Sequence, residues 1–270
     1  MRKCCQKYTG KRGEQSMEHI TSRQNALMTH IRKLNASRAY RRASGEYLCD
    51  GVKLLEEALR WNAPLKTVVL SEGVDAPSLP SGVRAVQVPA DVMRSISPME
   101  TPQGALFTVR LPDTALPETL TGAHYLVLDG VQDPGNVGTI LRTADAAGFD
   151  GAILGPGCAD LYGAKTLRAT MGSVFRVPVL PTNDLPGTLE AMKREGYAVA
   201  ATELGGQDFY ACCPRGKAIL VIGSEGQGIS RPVRDAATHH LALPMRGGAE
   251  SLNAAVAAGI MIYEMAREQA

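Results

Sequence analysis

Three segments of the sequence place polar side chains beside turns that can approach a ligand closely. They are residues 128–148 (LDGVQDPGNVGTILRTADAAG), 221–230 (VIGSEGQGIS) and 241–257 (LALPMRGGAESLNAAVA). Their polar groups are two amides, a guanidinium, a carboxylate and a hydroxyl, carried by Asn136, Arg142, Glu225, Ser251 and Asn253. Glycine-rich turns let backbone groups reach a ligand that such side chains could orient and polarise. Taken singly, each segment is also compatible with an ordinary capped helix or turn.

The elements around these segments explain why they could share one site. Strands are predicted at residues 125–131, 151–154, 175–180, 198–202, 218–223 and 240–243. Helices are predicted at residues 137–147, 164–170, 185–195, 232–237 and 252–267. This alternation indicates an α/β fold with a mostly parallel sheet covered on both faces. Each of the three segments follows a strand, and open α/β sheets bind their ligands at the carboxyl ends of strands.

The first part of the chain, residues 17–111, predicts a small α/β unit of its own. Its helices are indicated at residues 25–39, 51–61 and 90–96, and its strands at residues 46–49, 65–70, 84–88 and 105–111. The proline-containing stretch 112–122 is typical of a linker, so residues 123–270 form a second predicted domain. Residues 1–16 lack apolar periodicity and are interpreted as a disordered basic tail or a non-native start.

The last predicted helix, residues 252–267, is apolar on nearly every face. Ser251 stands where an N-cap is expected. One face can pack on the sheet, and small residues such as Ala258 and Gly259 allow another helix to approach closely. A homodimer through this helix is therefore expected, with a wholly internal helix in a monomer as the alternative.

The composition is that of an ordinary globular protein. Its 270 residues are 44% apolar and 21% charged, which excludes a disordered or fibrous chain. The longest apolar run without a charge, residues 252–263, is too short to span a membrane. Residues 1–60 contain thirteen basic and six acidic residues, whereas the rest of the chain is acidic. This asymmetry indicates either a polyanion-binding region or a solvated arginine-rich helix face.

Several common sites are not indicated. The sequence has no G-x-G-x-x-G dinucleotide motif, and an alanine interrupts the one P-loop-like stretch, residues 163–166. The six cysteines include no Cys-x-x-Cys pair and no Cys/His cluster, so no metal is predicted and the thiols are interpreted as reduced. His239 and His240 are interpreted as the structural end of a strand.

Together, the three segments resemble the signature segments of the SpoU/TrmH family of RNA 2′-O-ribose methyltransferases, within the SPOUT superfamily. All three occur in the family's order. Residues 101–104 (TPQG) and 168–178 (RATMGSVFRVP) extend the resemblance over the chain from about Ile20. One departure is Asn253-Ala-Ala-Val, where many members have Asn-Val-Ser-Val.

The resemblance implies a small α/β RNA-binding domain followed by a SPOUT domain with a carboxyl-terminal trefoil knot. In the family the knot holds S-adenosylmethionine, which the resemblance places against Thr202, Glu203, Gly223, Leu243 and Leu252. It also implies RNA contacts by arginines, here Arg38, Arg41, Arg42 and Arg168. The expected assembly is a cytoplasmic homodimer that binds RNA, without a metal or a membrane.

The resemblance further implies roles for the polar residues of the three segments. In the family the arginine that matches Arg142 is held to activate a ribose hydroxyl. Because arginine stays protonated, we expect Arg142 instead to bind the adjacent phosphate and stabilise the developing alkoxide. Asn136, Ser251 and Asn253 would orient the ribose, and Glu225 would either position Arg142 or accept the proton.

The expected substrate is large-subunit ribosomal RNA, because two-domain members of the family mostly act on ribosomal RNA. Three alternatives stay open: transfer RNA as the substrate, methylation of a base, and an RNA-binding protein of the same fold that has lost catalysis.

Overall fold

Two β-sheets follow one another along the chain in the computed structural model, which describes residues 17–113, 117 and 119–267. The prediction for residues 1–16 lies outside the described residues, as does part of the prediction for residues 112–122. Among the described helices, none has the length and apolar character needed to cross a membrane.

The first sheet has five strands. They are β1 (Glu18–His19), β2 (Glu46–Asp50), β3 (Leu65–Ser71), β4 (Arg84–Val88) and β5 (Ala105–Arg110). The strand order is β1-β4-β3-β5-β2, with β5 antiparallel to both of its neighbours and the other pairs parallel. The helices of this unit are α1 (Ala26–Ala36), α2 (Arg38–Ser44), α3 (Val52–Arg60) and α4 (Ala90–Ile96).

The sequence predicted one helix over residues 25–39, and the structure has two. Ser37 adopts extended backbone (φ −133°, ψ 115°), and its hydroxyl accepts a hydrogen bond from the backbone N–H of Tyr40 at 3.1 Å. Serine competes well for this capping role because its short side chain can satisfy a free N–H at a helix start. The arginines of α2 therefore belong to a separate short helix.

The second sheet confirms the predicted parallel arrangement. Its strands are β6 (His124–Asp129), β7 (Gly151–Leu154), β8 (Val179–Pro181), β9 (Ala198–Asp208), β10 (Ala218–Gly223) and β11 (His239–Ala242). They lie in the order β11-β9-β10-β6-β7-β8, and every neighbouring pair is parallel. The carboxyl ends of all these strands consequently share one edge of the sheet.

Helices cover both faces of the second sheet. They are α5 (Pro134–Ala146), α6 (Ala164–Thr170), α7 (Leu185–Arg194), α8 (Phe209–Cys212), α9 (Arg231–Asp235) and α10 (Ala254–Ala266). Leu126 and Leu128 of β6 pack into one apolar core with α5 and α10. The alternate residues Tyr125 and Val127 pack into another core with α7 and α9. This alternation is the one expected for a strand buried on both sides.

Several predicted element bounds differ from the structure, and three of the differences have a local physical reason. The predicted strand over residues 175–180 is replaced by a 3₁₀ turn at Ser173–Phe175, and β8 begins only at Val179. β9 continues six residues beyond the predicted 198–202, because its distal half pairs with β11 after a register shift. The cap of α10 is Asn253 and not Ser251, since the Asn253 Oδ1 accepts hydrogen bonds from the N–H groups of the next turn.

Apolar contacts join the two sheets. Leu167 of α6 is 1% exposed and lies in the core of the first sheet. The ring of Tyr162 lies against that of Tyr47 in β2, with ring centroids 4.4 Å apart. Apolar surface on α6 is thus removed from water by residues of the first sheet, which holds the two units together.

Two arginines, here called the junction arginines, add ion pairs to this contact. Arg41 of α2 bonds the Asp160 carboxylate, and it also donates to the Leu34 carbonyl at the end of α1. Arg176 bonds both Asp145 of α5 and Glu57 of α3. Each junction arginine therefore links the first sheet's helices to the second unit.

Candidate active site

Three loops at the carboxyl edge of the second sheet bring Asn136, Glu225 and Asn253 together. Asn136 Nδ2 donates to Glu225 Oε1 at 2.7 Å, and Asn253 Nδ2 donates to Asn136 Oδ1 at 3.2 Å. A carboxylate only accepts hydrogen bonds, so Asn136 must present its NH₂ group to Glu225, which leaves its carbonyl oxygen for Asn253. We call these three residues the amide–carboxylate cluster. Glu225 and Asn253 lie 89 and 117 residues after Asn136 in the sequence.

Local capping explains how Asn136 reaches this position. Asp133 is the N-cap of α5 and accepts a hydrogen bond from the Asn136 backbone N–H at 2.7 Å, with Pro134 at the first helical position. The side chain of Asn136 is thereby released from capping and projects from the first turn. Gly138 then lets α6 pack closely, since a Cβ there would lie 2.7 Å from the Thr166 carbonyl oxygen.

The turn that carries Glu225 is fixed from two sides. Ser224 and Gly228 pair across it with backbone hydrogen bonds of 2.9 and 3.0 Å. A Cβ on Gly223 would overlap the backbone of Gly228, so only glycine fits there. Asp129, at the end of β6, accepts a hydrogen bond from the Ser230 N–H at 2.7 Å. Sequence analysis missed Asp129; an acidic residue ending a strand just before a glycine was the available signal.

Two of the predicted catalytic residues make no hydrogen bond with this cluster. Arg142 is exposed on α5 and makes no hydrogen bond or ion pair with any described residue. The structure thus does not support the option in which Glu225 positions Arg142, because the partner of Glu225 is Asn136. Ser251 is exposed and likewise has no side-chain partner within the described part of the chain.

The residues predicted to contact a cofactor lie around the same edge of the sheet. Gly223 ends β10, and the Thr202 hydroxyl donates to the Val221 carbonyl of that strand at 2.9 Å. Leu243 is partly buried against the core, whereas Leu252 is 39% exposed. Glu203 lies 2.7 Å from Arg234 and 3.1 Å from the His240 ring, so its carboxylate already has an arginine of the protein as its partner.

The loop between β11 and α10 has free backbone groups. No N–H group of residues 245–252 donates to another backbone group among the residues that the structure describes. Exposed N–H and C=O groups in a loop beside a glycine-rich turn can recognise the edge of a heterocyclic base. The structure therefore offers backbone recognition at Leu243 and in the loop that follows it.

The four predicted RNA-contacting arginines differ in their environments. Arg42 and Arg168 are exposed, and Arg38 is 54% exposed and lies 3.8 Å from Asp160. Arg41 is only 6% exposed and is bonded to Asp160. The main partner of Arg41 is therefore Asp160 at the junction of the two sheets, and its contact with RNA stays a prediction.

Within the described ranges, no group of three or more His, Cys, Asp or Glu side chains is placed to hold a metal ion. The Cys158 thiol donates to the Leu128 carbonyl, and burial raises its pKa above the ordinary value for a thiol. Such a thiol is a weak nucleophile at neutral pH.

Comparisons with known proteins connect this geometry to a family. The model of the SpoU rRNA Methylase family matches residues 123–263, and that of an MRM3-like substrate binding domain matches residues 25–106. The chain is 36% identical to the 23S rRNA (guanosine(2553)-2′-O)-methyltransferase RlmP of Bacillus subtilis (strain 168), over 92% of this chain and 99% of that protein.

Solved structures agree over similar lengths. A structure described as a putative RNA methyltransferase of the TrmH family from Porphyromonas gingivalis superposes with a TM-score of 0.83 at 37% identity, covering 90% of this chain and 98% of that one. The SpoU methyltransferase AviRb from Streptomyces viridochromogenes, in complex with the cofactor AdoMet, superposes with a TM-score of 0.80 at 28% identity, covering 91% and 98%. On these matches, the chain belongs to the SpoU rRNA methylase family of RNA methyltransferases.

Proposed function

We propose that this protein transfers a methyl group from S-adenosylmethionine to a ribose 2′-hydroxyl of large-subunit ribosomal RNA. The observation that carries the proposal is the amide–carboxylate cluster of Asn136, Glu225 and Asn253, which joins the three segments at the edge of the sheet. Family membership alone supports RNA methylation, whereas this cluster supplies groups suited to a hydroxyl acceptor.

The residues at this edge fit S-adenosylmethionine. Backbone N–H groups of residues 245–252 are free to bind a ligand, in the sense that none donates to another described backbone group. Gly223 leaves no side chain between β10 and the turn after it. Leu243 and Leu252 supply apolar surface for a flat ring, and the AviRb structure that resembles this chain holds the same cofactor.

Glu225 is suited to accept the proton of the hydroxyl. S-adenosylmethionine supplies an electrophilic methyl group, and the accepting hydroxyl must lose its proton during transfer. Glu225 Oε1 accepts from Asn136, while its other oxygen has no partner among the described residues. Asn136 holds the carboxylate in place and is held in turn by Asn253. The cluster therefore provides a positioned base with one free oxygen.

Arg142 completes the proposed site from a distance. Six residues separate it from Asn136 along α5, which corresponds to a rise of about 9 Å. Its exposed guanidinium has no partner in the described chain, so it is available to a phosphate next to the acceptor ribose. Ser251 is free in the same sense and remains a predicted contact to the ribose.

Ribosomal RNA is the favoured substrate because the relative from Bacillus subtilis, whose name specifies 23S rRNA, aligns with 92% of this chain. That alignment includes the first sheet. We assign residues 17–111 to RNA binding, residues 112–122 to a linker and residues 123–270 to methyl transfer. Transfer RNA remains the alternative substrate.

The proposed architecture includes a trefoil knot at the carboxyl terminus and a homodimer. Support for the knot is the superposition on TrmH and SpoU structures over 90% and 91% of this chain. Support for the dimer is the apolar face of α10, on which Val256, Ile260 and Tyr263 are 53%, 37% and 55% exposed. These positions recur at helical spacing, so one face of α10 lacks a covering partner within the described chain.

Nucleoside analysis tests the proposal. Purified protein is incubated with labelled S-adenosylmethionine and with ribosomal RNA from cells that lack the gene, and the digested RNA is examined by mass spectrometry. A 2′-O-methylated nucleoside is expected, whereas a base-methylated nucleoside would contradict the proposal. Calorimetry with S-adenosylmethionine runs alongside, and a protein that binds RNA but not this cofactor would favour the inactive alternative.

A matched pair of variants tests whether Glu225 is the proton acceptor. Glu225→Gln keeps the shape of the side chain but removes the proton acceptor, so transfer should fall by about 100-fold. Gln227→Ala changes an exposed side chain of the same turn and should leave transfer unchanged. Equal rates for the two variants would remove Glu225 from the mechanism.

A further inference from the structure

A cavity of about 590 Å³ lies where α2 faces the second sheet. It is lined by α2 of the first unit, by the loop that follows β7, and by the end of β8. Its lining residues include Arg38, Arg41, Arg42, Gly157, Asp160 and Asn183. Its volume is within the range of small-molecule sites, about 300–1,000 Å³, so one nucleotide can be accommodated.

The charge in this cavity favours an anion. Arg38 and Arg42 are four residues apart on α2, so their side chains share one face of the helix. Arg42 is exposed and has no hydrogen-bond partner among the described residues, and Arg38 lies 3.8 Å from Asp160. The Asp160 carboxylate is already paired with Arg41. The guanidinium of Arg42 is thus unpaired among the described residues, and that of Arg38 is 54% exposed beside its one long contact with Asp160, so both can reach a phosphate, which guanidinium groups bind well.

Arg41 gives a second indication of a ligand. It lines the cavity and is 6% exposed, yet its Nε–H has no hydrogen-bond partner. A buried donor without a partner costs free energy that a bound acceptor can restore.

The opposite wall can recognise a base. Asn183, in the loop after β8, is exposed, and its side-chain amide makes no hydrogen bond with any described residue. An amide offers one donor and one acceptor edge, which suits the hydrogen-bonding edge of an unpaired base. Gly157 has a φ of +81° and no side chain, so backbone lines the floor beside it.

The cavity shares an edge with the proposed active site. A Cβ on Gly157 would lie 3.5 Å from the Gly130 Cα, and a Cβ on Gly130 would lie 3.7 Å from the Ser224 Cβ. Ser224 immediately precedes Glu225. A single strand of RNA lying along the carboxyl ends of β10, β6 and β7 would therefore pass from the amide–carboxylate cluster to this cavity.

We propose that the cavity binds a nucleotide of the RNA substrate that flanks the methylated one, with its phosphate on Arg38 and Arg42 and its base beside Asn183. This inference rests on the proposed function, because it extends the RNA path from the active site. On this inference, the cavity at the junction of the two sheets contributes part of the protein's selectivity for RNA sequence.

Equilibrium binding of ribosomal RNA to three variants tests the subsite. Arg42→Gln removes a phosphate contact, so its Kd should rise about fivefold or more and the dependence of binding on salt should become shallower. Asn183→Ala removes a base contact, so its Kd should also rise about fivefold with the salt dependence unchanged. The control is Arg194→Gln, at an exposed position of α7 outside the cavity, and should bind as the wild type does.

The outcomes separate this inference from the proposed function. Affinity for S-adenosylmethionine, measured by calorimetry, should be the same in all three variants. If Arg42→Gln and Asn183→Ala bind RNA as the control does, the subsite is wrong even when the wild type methylates RNA. If the variants lose RNA affinity as expected but the wild type transfers no methyl group, the subsite stands and the proposed function fails.

Discussion

The carboxyl edge of the second sheet and the junction between the sheets both gather polar side chains, but they differ in how these groups are satisfied. At the junction, Arg41 and Arg176 are mostly buried and each is paired with a carboxylate. At the edge, Arg142 is exposed and unpaired within the described chain, and Glu225 has an oxygen to spare. The same residue types therefore hold the protein together in one region and are left for a ligand in the other.

The role of an arginine thus follows from its hydrogen-bond and ion-pair partners and not from its position in a basic stretch. Arg41 and Arg42 are adjacent in sequence, yet Arg41 is buried and bonded to Asp160, whereas Arg42 is exposed and has no partner among the described residues. Changes at the edge should accordingly affect activity with little effect on stability. Changes at the junction should primarily affect stability.

The largest effect is expected for Gly223→Val. Any side chain there overlaps the Gly228 backbone, so the turn must move and displace Glu225. A shift of that kind should lower methyl transfer by about 1,000-fold and weaken S-adenosylmethionine binding. The matched control is Gly226→Ala in the same turn, where a Cβ meets nothing within 4 Å. Rates and calorimetry on both variants provide the check; similar activity in the two would show that the turn is not rigid.

Asn136→Asp tests the carboxyl edge of the second sheet with a side chain of the same shape. Aspartate cannot donate to Glu225, and two carboxylates would repel each other across the present 2.7 Å hydrogen bond. Transfer should fall about 100-fold. Because the group lies at an open edge, the midpoint of urea unfolding should stay close to that of the wild type. A large loss of stability with normal methyl transfer would show that Asn136 serves stability and not activity, which would contradict this expectation.

Arg41→Leu probes the junction. Removing the guanidinium leaves Asp160 with only its 3.8 Å contact to Arg38. The free energy of unfolding should fall by about 2 kcal/mol, less than for a fully buried pair because the Asp160 side chain is 23% exposed. Arg42→Leu, one residue later and exposed, should change stability by less than about 0.5 kcal/mol. Urea denaturation measures the stability of both variants. Equal stabilities would contradict a stabilising role of Arg41 at the junction.

The smallest expected effect concerns Glu46, buried within the first sheet. Burial raises the pKa of its carboxyl, but the hydrogen bond from Lys66, the neighbouring Thr108 hydroxyl and the charges of Lys66 and His30 outweigh this, so the pKa is lower than the ordinary 4.5. A lowered pKa stabilises the fold above the ordinary value, and this stabilisation is lost as the pH falls through the folded-state pKa.

Glu46→Gln removes that dependence on pH. The wild type should be more stable than the variant at pH 7, by about 1 kcal/mol or less, and the difference should shrink as the pH falls below 4.5. Unfolding midpoints measured between pH 3 and pH 7 provide the test. A difference that does not vary with pH would show that the Glu46 carboxylate is not stabilised by its neighbours.

Local sequence signals predicted most elements well. The predicted strands at residues 84–88, 151–154 and 218–223 and the helices at 90–96 and 164–170 match the structure at both ends. Apolar periodicity is enough to predict such elements, because the regularly spaced apolar residues of each one pack against a core. It failed at Ser37, where a single cap divides a helix, and at residues 175–180, where a 3₁₀ turn precedes a short edge strand.

The candidate site was predictable only in its parts. The three segments were recognisable from their glycines and polar residues, and the pairing of Asn136 with Glu225 was not, because 89 residues separate them. The sequence favours Ser251 as the cap of α10, but the helix begins two residues later and Asn253 accepts from its first N–H groups. Sequence alone does not rank two neighbouring candidates for a cap when the path of the preceding loop is unknown.

By itself, the sequence determined which residue types are available, which stretches form strands and helices, and which family the segments resemble, since these depend on neighbours along the chain. Only the tertiary structure decided which polar groups are satisfied. It bonded Arg41 to Asp160, 119 residues away, and left Arg142 and Arg42 free within the described chain. Whether a charge serves stability or a ligand is set by burial and by distant partners, which no local pattern records.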